Sequence, residues 1–202
     1  MAYSDFTLEA VLTQFDLKEV TAPLFATIVP VQPSAWLQET LAIGQDYGLR
    51  SGTEKARSEF IVAPILLELR RLSAEPFAIY SGRNLEGDRS LGLNGECDFL
   101  LSRGETSYSL HAPVFAIVEA KKQDLDLGLG QCAAQLIGAR LFNQRKNESI
   151  PILYGCVTTG DNWLFLKLED QKLTLDSNRY FYSELDRILG FLTQVLTKIQ
   201  EV

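Results

Sequence analysis

Val114-Phe-Ala-Ile-Val-Glu-Ala-Lys-Lys122 opens as an apolar, β-branched run and closes on an acid, a small residue and two lysines. A run of this kind, bounded by loop residues, predicts a buried central strand. Side chains alternate along a strand, so Glu119 and Lys121 share one face and Lys122 takes the other. Ionised groups at the end of a buried strand are costly unless they are paired or bound to a metal. Whatever holds this strand end must come from elsewhere in the chain.

Upstream, Gly95-Glu-Cys-Asp-Phe-Leu-Leu-Ser102 predicts a neighbouring strand. Alternation places Glu96, Asp98 and Leu100 on one face and Cys97, Phe99 and Leu101 on the other. A first strand is expected over 77–81, with a Gly/Asn/Asp-rich loop over 82–94. Residues 53–72 read as a buried helix, with Thr53 as N-cap and Pro64 kinking it. At a helical period Arg57, Glu68 and Arg71 share a polar side, whereas Glu59 projects among Val62, Ala63 and Leu66. A carboxylate on that face needs a partner, either a site or a nearby Arg or Lys.

Downstream, 123–130 reads as a polar, glycine-rich turn before a helix over 131–146, which presents Gln131, Gln135 and Gly138 on one stripe. Strands over 152–158 and 163–168 are joined by the turn signal Gly160-Asp-Asn162. A short edge strand over 172–175 and an amphipathic helix over 183–199 close the chain. From residue 53 the order is α-β-β-β-α-β-β-α. This predicts an α/β structure with a mixed central sheet flanked by helices. Residues 1–52 add an N-terminal helical extension, with helices over 6–15 and 36–45, an extended stretch over 21–33 and breaks at Gly48 and Gly52. The whole chain, 1–202, reads as one domain, and the extension as a packing collar or a partner surface.

Composition narrows the chemistry. The 46% hydrophobic content supplies a normal globular core. No apolar run approaches the roughly 18 residues of a membrane span, and the first residues lack a secretory pattern, so a cytoplasmic protein is expected. The three cysteines are scattered and predict buried free thiols. His111 is the only histidine, which argues against a Ser-His-Asp triad or a multi-histidine metal site. Chemistry must rest on carboxylates, lysines and amides. Gly128-Leu-Gly130 lacks the Lys-Ser/Thr of a P-loop and most of a dinucleotide fingerprint, so no organic cofactor is expected. The net charge of −7 disfavours nucleic-acid binding by the surface as a whole but leaves room for a local basic groove.

Asp98 on one strand, Glu119-Ala-Lys121 on the next, an odd-facing Glu59 on the preceding helix and a glutamine helix afterwards form one constellation. It resembles the PD-(D/E)XK nuclease superfamily, which has the restriction-endonuclease-like fold. The likeness spans roughly residues 53–168. Asp98 matches the family's Asp, Glu119 and Lys121 its Glu-x-Lys, Gln131 its helix amide, and Glu59 is a candidate for its helix acid. The phrase Glu119-Ala-Lys-Lys followed by Gly128-Leu-Gly-Gln-Cys132 is also similar to bacterial, especially cyanobacterial, members. Two departures stand out: Cys97 replaces the proline before the Asp, and the tyrosine that follows the glutamine in the exonuclease branch is missing.

The resemblance implies a Mg2+-dependent nuclease, with Mn2+ as a substitute. Its metal would be held by Asp98, Glu119 and Glu59. Asp98, Glu119, Lys121, Glu59 and Gln131 would form the catalytic set, with Gln135 and Lys122 touching substrate. DNA is the implied partner and a homodimer the implied assembly. The residue types suit this chemistry independently. Carboxylates are hard oxygen ligands for Mg2+, and a lysine beside them can orient water and hold developing negative charge. Two other readings stay open: a catalytically silent module of the same fold that binds protein or nucleic acid, and a small-molecule-binding α/β protein in which Glu119 and Lys121 form a structural pair.

Overall fold

The computed structural model describes residues 2–50 and 52–201. Its centre is a mixed sheet of eight strands. In chain order these are β1 (Lys18–Ala22), β2 (Phe77–Asp88), β3 (Leu93–Arg103), β4 (Val114–Ala120), β5 (Ile152–Thr158), β6 (Asn162–Glu169), β7 (Lys172–Asp176) and β8 (Tyr180–Phe181). Across the sheet the order is β1-β7-β6-β5-β4-β3-β2, and β8 adds to β6. β4 and β5 run parallel, as do β1 and β7, and the other pairs are antiparallel. The Val114 run is thus central, buried along all of β4.

Helices cover both faces. On one lie α1 (Leu8–Gln14) and α5 (Leu125–Arg145), packed on Val114, Ile117, Leu153 and Val157. On the other lie α2 (Ala35–Arg50), α4 (Ala63–Leu72) and α6 (Leu185–Gln200), packed on Phe115, Val118, Cys156 and Phe165. A short helix α3 (Glu54–Arg57) leads into α4 through a wide, π-helical turn at Ser58–Val62. From Ala116 to Val118 neighbouring side chains of β4 feed opposite cores, as strand alternation requires. The register shift opposite Leu101 and Ser102 breaks the alternation at Phe115 and Ala116, which both face the α2–α4–α6 side.

Four expectations from the sequence are corrected. The loop expected over 82–94 is mostly hairpin, since β2 runs on to Asp88 and pairs with β3 down to Leu93. The turn expected over 123–130 is mostly helix, because α5 begins at Leu125. Its glycines are there for close approach: a Cβ on Gly128 would meet Lys121 Cγ at 3.1 Å, and one on Gly130 would collide with the backbone of Phe6 and Thr7. Gly48 does not end α2; a Cβ there would sit 2.6 Å from Ile61 Cγ1, so it too marks a tight crossing. The strand expected at the sheet edge over 172–175 is flanked by β1, which makes the N-terminal residues part of the sheet.

Candidate active site

The end of β4 is built by its neighbours. β3 pairs with β4 up to Phe99 opposite Val118, and continuing that register by one residue brings Asp98 to Glu119. Cys97 and Leu100 both join the core beneath α5, while Phe99 and Leu101 face the other core, so strict alternation fails between Cys97 and Asp98. The break coincides with the end of the β3–β4 ladder and with Gly95 at φ 143°. It leaves the Asp98 side chain aimed at the strand end, where Oδ2 accepts the Ala120 N–H at 2.7 Å. Asp98 therefore grips the middle residue of Glu119-Ala120-Lys121. On the other side, the Lys121 N–H donates to Thr158 O at 2.7 Å and ties the strand end to β5.

α5 supplies the amides. Lys121 Nζ donates to Glu119 Oε1 at 3.1 Å and to Gln131 Oε1 at 2.8 Å. Gln131 Nε2 donates to Glu119 Oε1, closing a three-membered network. One turn further along, Gln135 Nε2 donates to Glu119 Oε2 at 2.8 Å. Gly128 lets the helix start lie against the Lys121 stem, which fixes the lysine beside the acid.

Burial sets the electrostatics. Glu119 is 3% exposed. Removal from water, then the charge of Asp98, push its pKa up to about 7, against the pull of Lys121 and Gln135. Burial also raises the Asp98 pKa, with Glu54 and Glu96 adding to it, while the Ala120 N–H and Lys121 oppose the rise. Burial and their mutual repulsion thus make both carboxylates harder to charge, while Lys121 pairs with Glu119 at 3.1 Å.

Not every expected residue arrives. Asp98, Glu119, Lys121 and Gln131 come together. Gln135 is wholly buried beneath Glu119, so it props the carboxylate and cannot touch substrate as expected; its Oε1 has no partner. Lys122 is exposed at the rim. Glu59 is absent from the group: it is exposed and ion-paired with Lys55 at 3.7 Å. The wide turn at Ser58–Val62 inserts a residue into the helical period and turns Glu59 outward. The acid this helix does bring is Glu54, whose Oε1 accepts the Lys122 N–H at 3.3 Å. Its position in the first turn after the Thr53 N-cap was the available signal. Cys97, Cys132 and Cys156 are buried free thiols, and burial pushes all three pKa values up, so none is a ready nucleophile.

Among the described residues no group of three or more His, Cys, Asp or Glu side chains gathers to hold an ion. Asp98 and Glu119 remain as two hard oxygen donors whose charges disfavour each other. That pair fits Mg2+, which accepts one or two carboxylates and keeps several waters. Glu59 does not fit the ligand set. A scan of the chain against protein-family models returns no match, and neither does a comparison with curated proteins. No helix among the described residues is long and apolar enough to cross a membrane.

Proposed function

We propose that this chain is a Mg2+-dependent nuclease that hydrolyses phosphodiester bonds in DNA, on a core of the restriction-endonuclease-like, PD-(D/E)XK kind. The observation that carries this reading is the Asp98–Ala120 bond beside the Glu119–Lys121–Gln131 network. Bound Mg2+ would lower the pKa of a water and offset charge on the phosphoryl oxygens. The chain's own part is orientation and electrostatics. Lys121 holds a water or a phosphoryl oxygen and stabilises the negative charge that develops there. Gln131 fixes the Lys121 ammonium, and Gln135 and Gln131 fix the Glu119 carboxylate. Asp98, charged once a cation offsets its neighbour, completes the acidic pair.

The test is cleavage of single-stranded, double-stranded and branched DNA with Mg2+ or Mn2+. Lys121→Ala should slow cleavage at least about a hundredfold while the protein stays folded. Absence of cleavage by the unaltered protein on all three, or an unaffected Lys121→Ala, sinks the reading. One observation favours a second reading, a silent module of the same fold: both Glu119 oxygens are already engaged by side-chain donors in a site with little exposure. Calorimetry separates the two, since metal binding abolished by Asp98→Ala, without cleavage of any substrate, belongs to the silent module.

A further inference from the structure

Glu54 and Arg57 lie one turn apart on α3 and clamp the ends of two adjacent strands. Glu54 takes the Lys122 N–H, just past β4, and Arg57 Nη1 donates to Thr159 O, just past β5. Thr158, the residue before that anchor, holds the backbone N–H of Lys121. The Arg57 guanidinium therefore lies on the strand end next to the one carrying the lysine. It is half-buried and, among the described residues, no carboxylate pairs with it. Arg103, Arg140 and Arg145 also end on backbone carbonyls. Among the described residues, only Arg57 keeps a buried guanidinium N–H, that of Nε, without an acceptor.

A half-buried guanidinium that no described carboxylate neutralises offers an anion the part of its edge that Thr159 O leaves open. We propose that Arg57 binds a backbone phosphate of the nucleic-acid substrate next to the bond cut at Lys121. This inference rests on the nucleic-acid reading above and adds a substrate contact to it. The guanidinium fork matches a phosphate with two parallel N–H donors. In a chain at −7 the cations available beside the site are Arg57 and the exposed Lys122, since Lys121 is paired with Glu119.

The experiment measures binding of labelled oligonucleotides in which one phosphate at a time is replaced by a neutral methylphosphonate, using Lys121→Ala protein so that nothing is cut. One position next to the cut should weaken binding about ten- to a hundredfold. Adding Arg57→Gln should erase that sensitivity at that position alone and reduce the salt dependence by about one phosphate contact. Arg57→Lys, which keeps the charge and loses the fork, should blunt the same position and guards against loss of fold in the neutral variant. A lowered melting temperature with an unchanged methylphosphonate profile overturns the inference and leaves Arg57 as a strap between α3 and β5. If the unaltered protein cuts DNA while the profile ignores Arg57, only the phosphate contact falls. If the profile follows Arg57 but no DNA is cut, the contact stands and the nuclease reading falls. If no oligonucleotide binds either this variant or the unaltered protein with divalent metal withheld, both fall.

Discussion

Glu68, on α4, and Glu119, at the end of β4, are buried alike, at 1% and 3% exposed, but keep opposite company. Glu68 meets donors. Its Oε1 accepts the Ser34 N–H at 2.9 Å, its Oε2 accepts the Ser34 hydroxyl at 3.0 Å, and Arg71 lies 3.5 Å away. It thereby satisfies the start of α2, where orphaned N–H groups need an acceptor. Glu119 also has donors, in Lys121, Gln131 and Gln135, but it faces a second acid, Asp98. Burial alone therefore does not mark a functional carboxylate in this protein. The difference is a buried acid held close to another acid, a repulsion that Lys121 offsets only in part and that a bound cation or a proton would relieve further.

Glu119→Gln separates the two regions most sharply. Cleavage should fall by a factor of about 10^2–10^3. The fold should nevertheless be more stable well above pH 7. Because the folded-state pKa of Glu119 is raised from 4.5 to about 7, its protonation favours the folded protein. That contribution is complete below pH 4.5 and is lost as pH rises through about 7. The neutral glutamine does not lose it, so the stability gap between variant and parent should open across this window to at most about 3 kcal/mol. Thermal melts across the window read this directly. A variant that melts lower than its parent above pH 7 would identify Glu119–Lys121 as a structural ion pair and break the comparison.

Glu68→Ala should do the reverse. It strands the Ser34 donors and leaves Arg71 without its acid, at a cost of about 3 kcal/mol. For a chain of this size that lowers the melting temperature by about 6–12 °C. Cleavage per folded molecule should be unchanged; a loss of turnover would place Glu68 among the functional acids.

Gly128→Ala tests how the network is held rather than what it contains. The added methyl would press on Lys121 Cγ and the Val157 side chain. Overpacking of this kind costs about 1–3 kcal/mol. Cleavage should fall as well, since the same methyl displaces the lysine stem. Loss of stability with full activity would show that the lysine is positioned by Gln131 alone.

This glycine also shows where the sequence was legible and where it was not. β4 and its acid could be read because a buried strand and its side-chain alternation are local patterns. Lys121 followed from the same alternation and Gln131 from helical spacing. Asp98 lies next to the point where the alternation along β3 breaks, so its strand could be read but not the face pattern around it. The start of α5 could not be read, because glycine usually ends a helix, and its use here for close packing depends on residues far away in the chain. The outer half of the β2–β3 hairpin was hidden for a related reason: Arg83 to Glu86 is largely exposed and polar, so nothing local separates it from a loop. β1 was hidden because its partner, β7, lies at the other end of the chain.

Glu59 is the clearest case of a local rule misled by a distant cause, and it gives the smallest expected effect. Counting a constant helical angle from Val62 back to Glu59 points the acid inward. The extra residue in the turn at Ser58–Val62 cancels that angle, and Pro64 is part of the reason, since it supplies no N–H to the carbonyl of Phe60. The freed carbonyl lies against Gly44 of α2, where a Cβ would sit only 2.6 Å away, so the wide turn is fixed by a helix crossing that the 53–72 stretch does not reveal. Glu59 is left 55% exposed beside Lys55 at 82%, an ion pair worth at most about 1 kcal/mol. Glu59→Gln should leave cleavage unchanged and move the melting temperature by no more than about 4 °C. Glu54→Gln should behave differently even though Glu54 is also exposed. Removing its charge takes away one of the influences that raise the Asp98 pKa, so the acid limb of the pH–rate profile should move to lower pH. If the two results are exchanged, with Glu59 moving the profile and Glu54 silent, the wide turn does not exist in solution and the helix faces the site in the phase its sequence suggested.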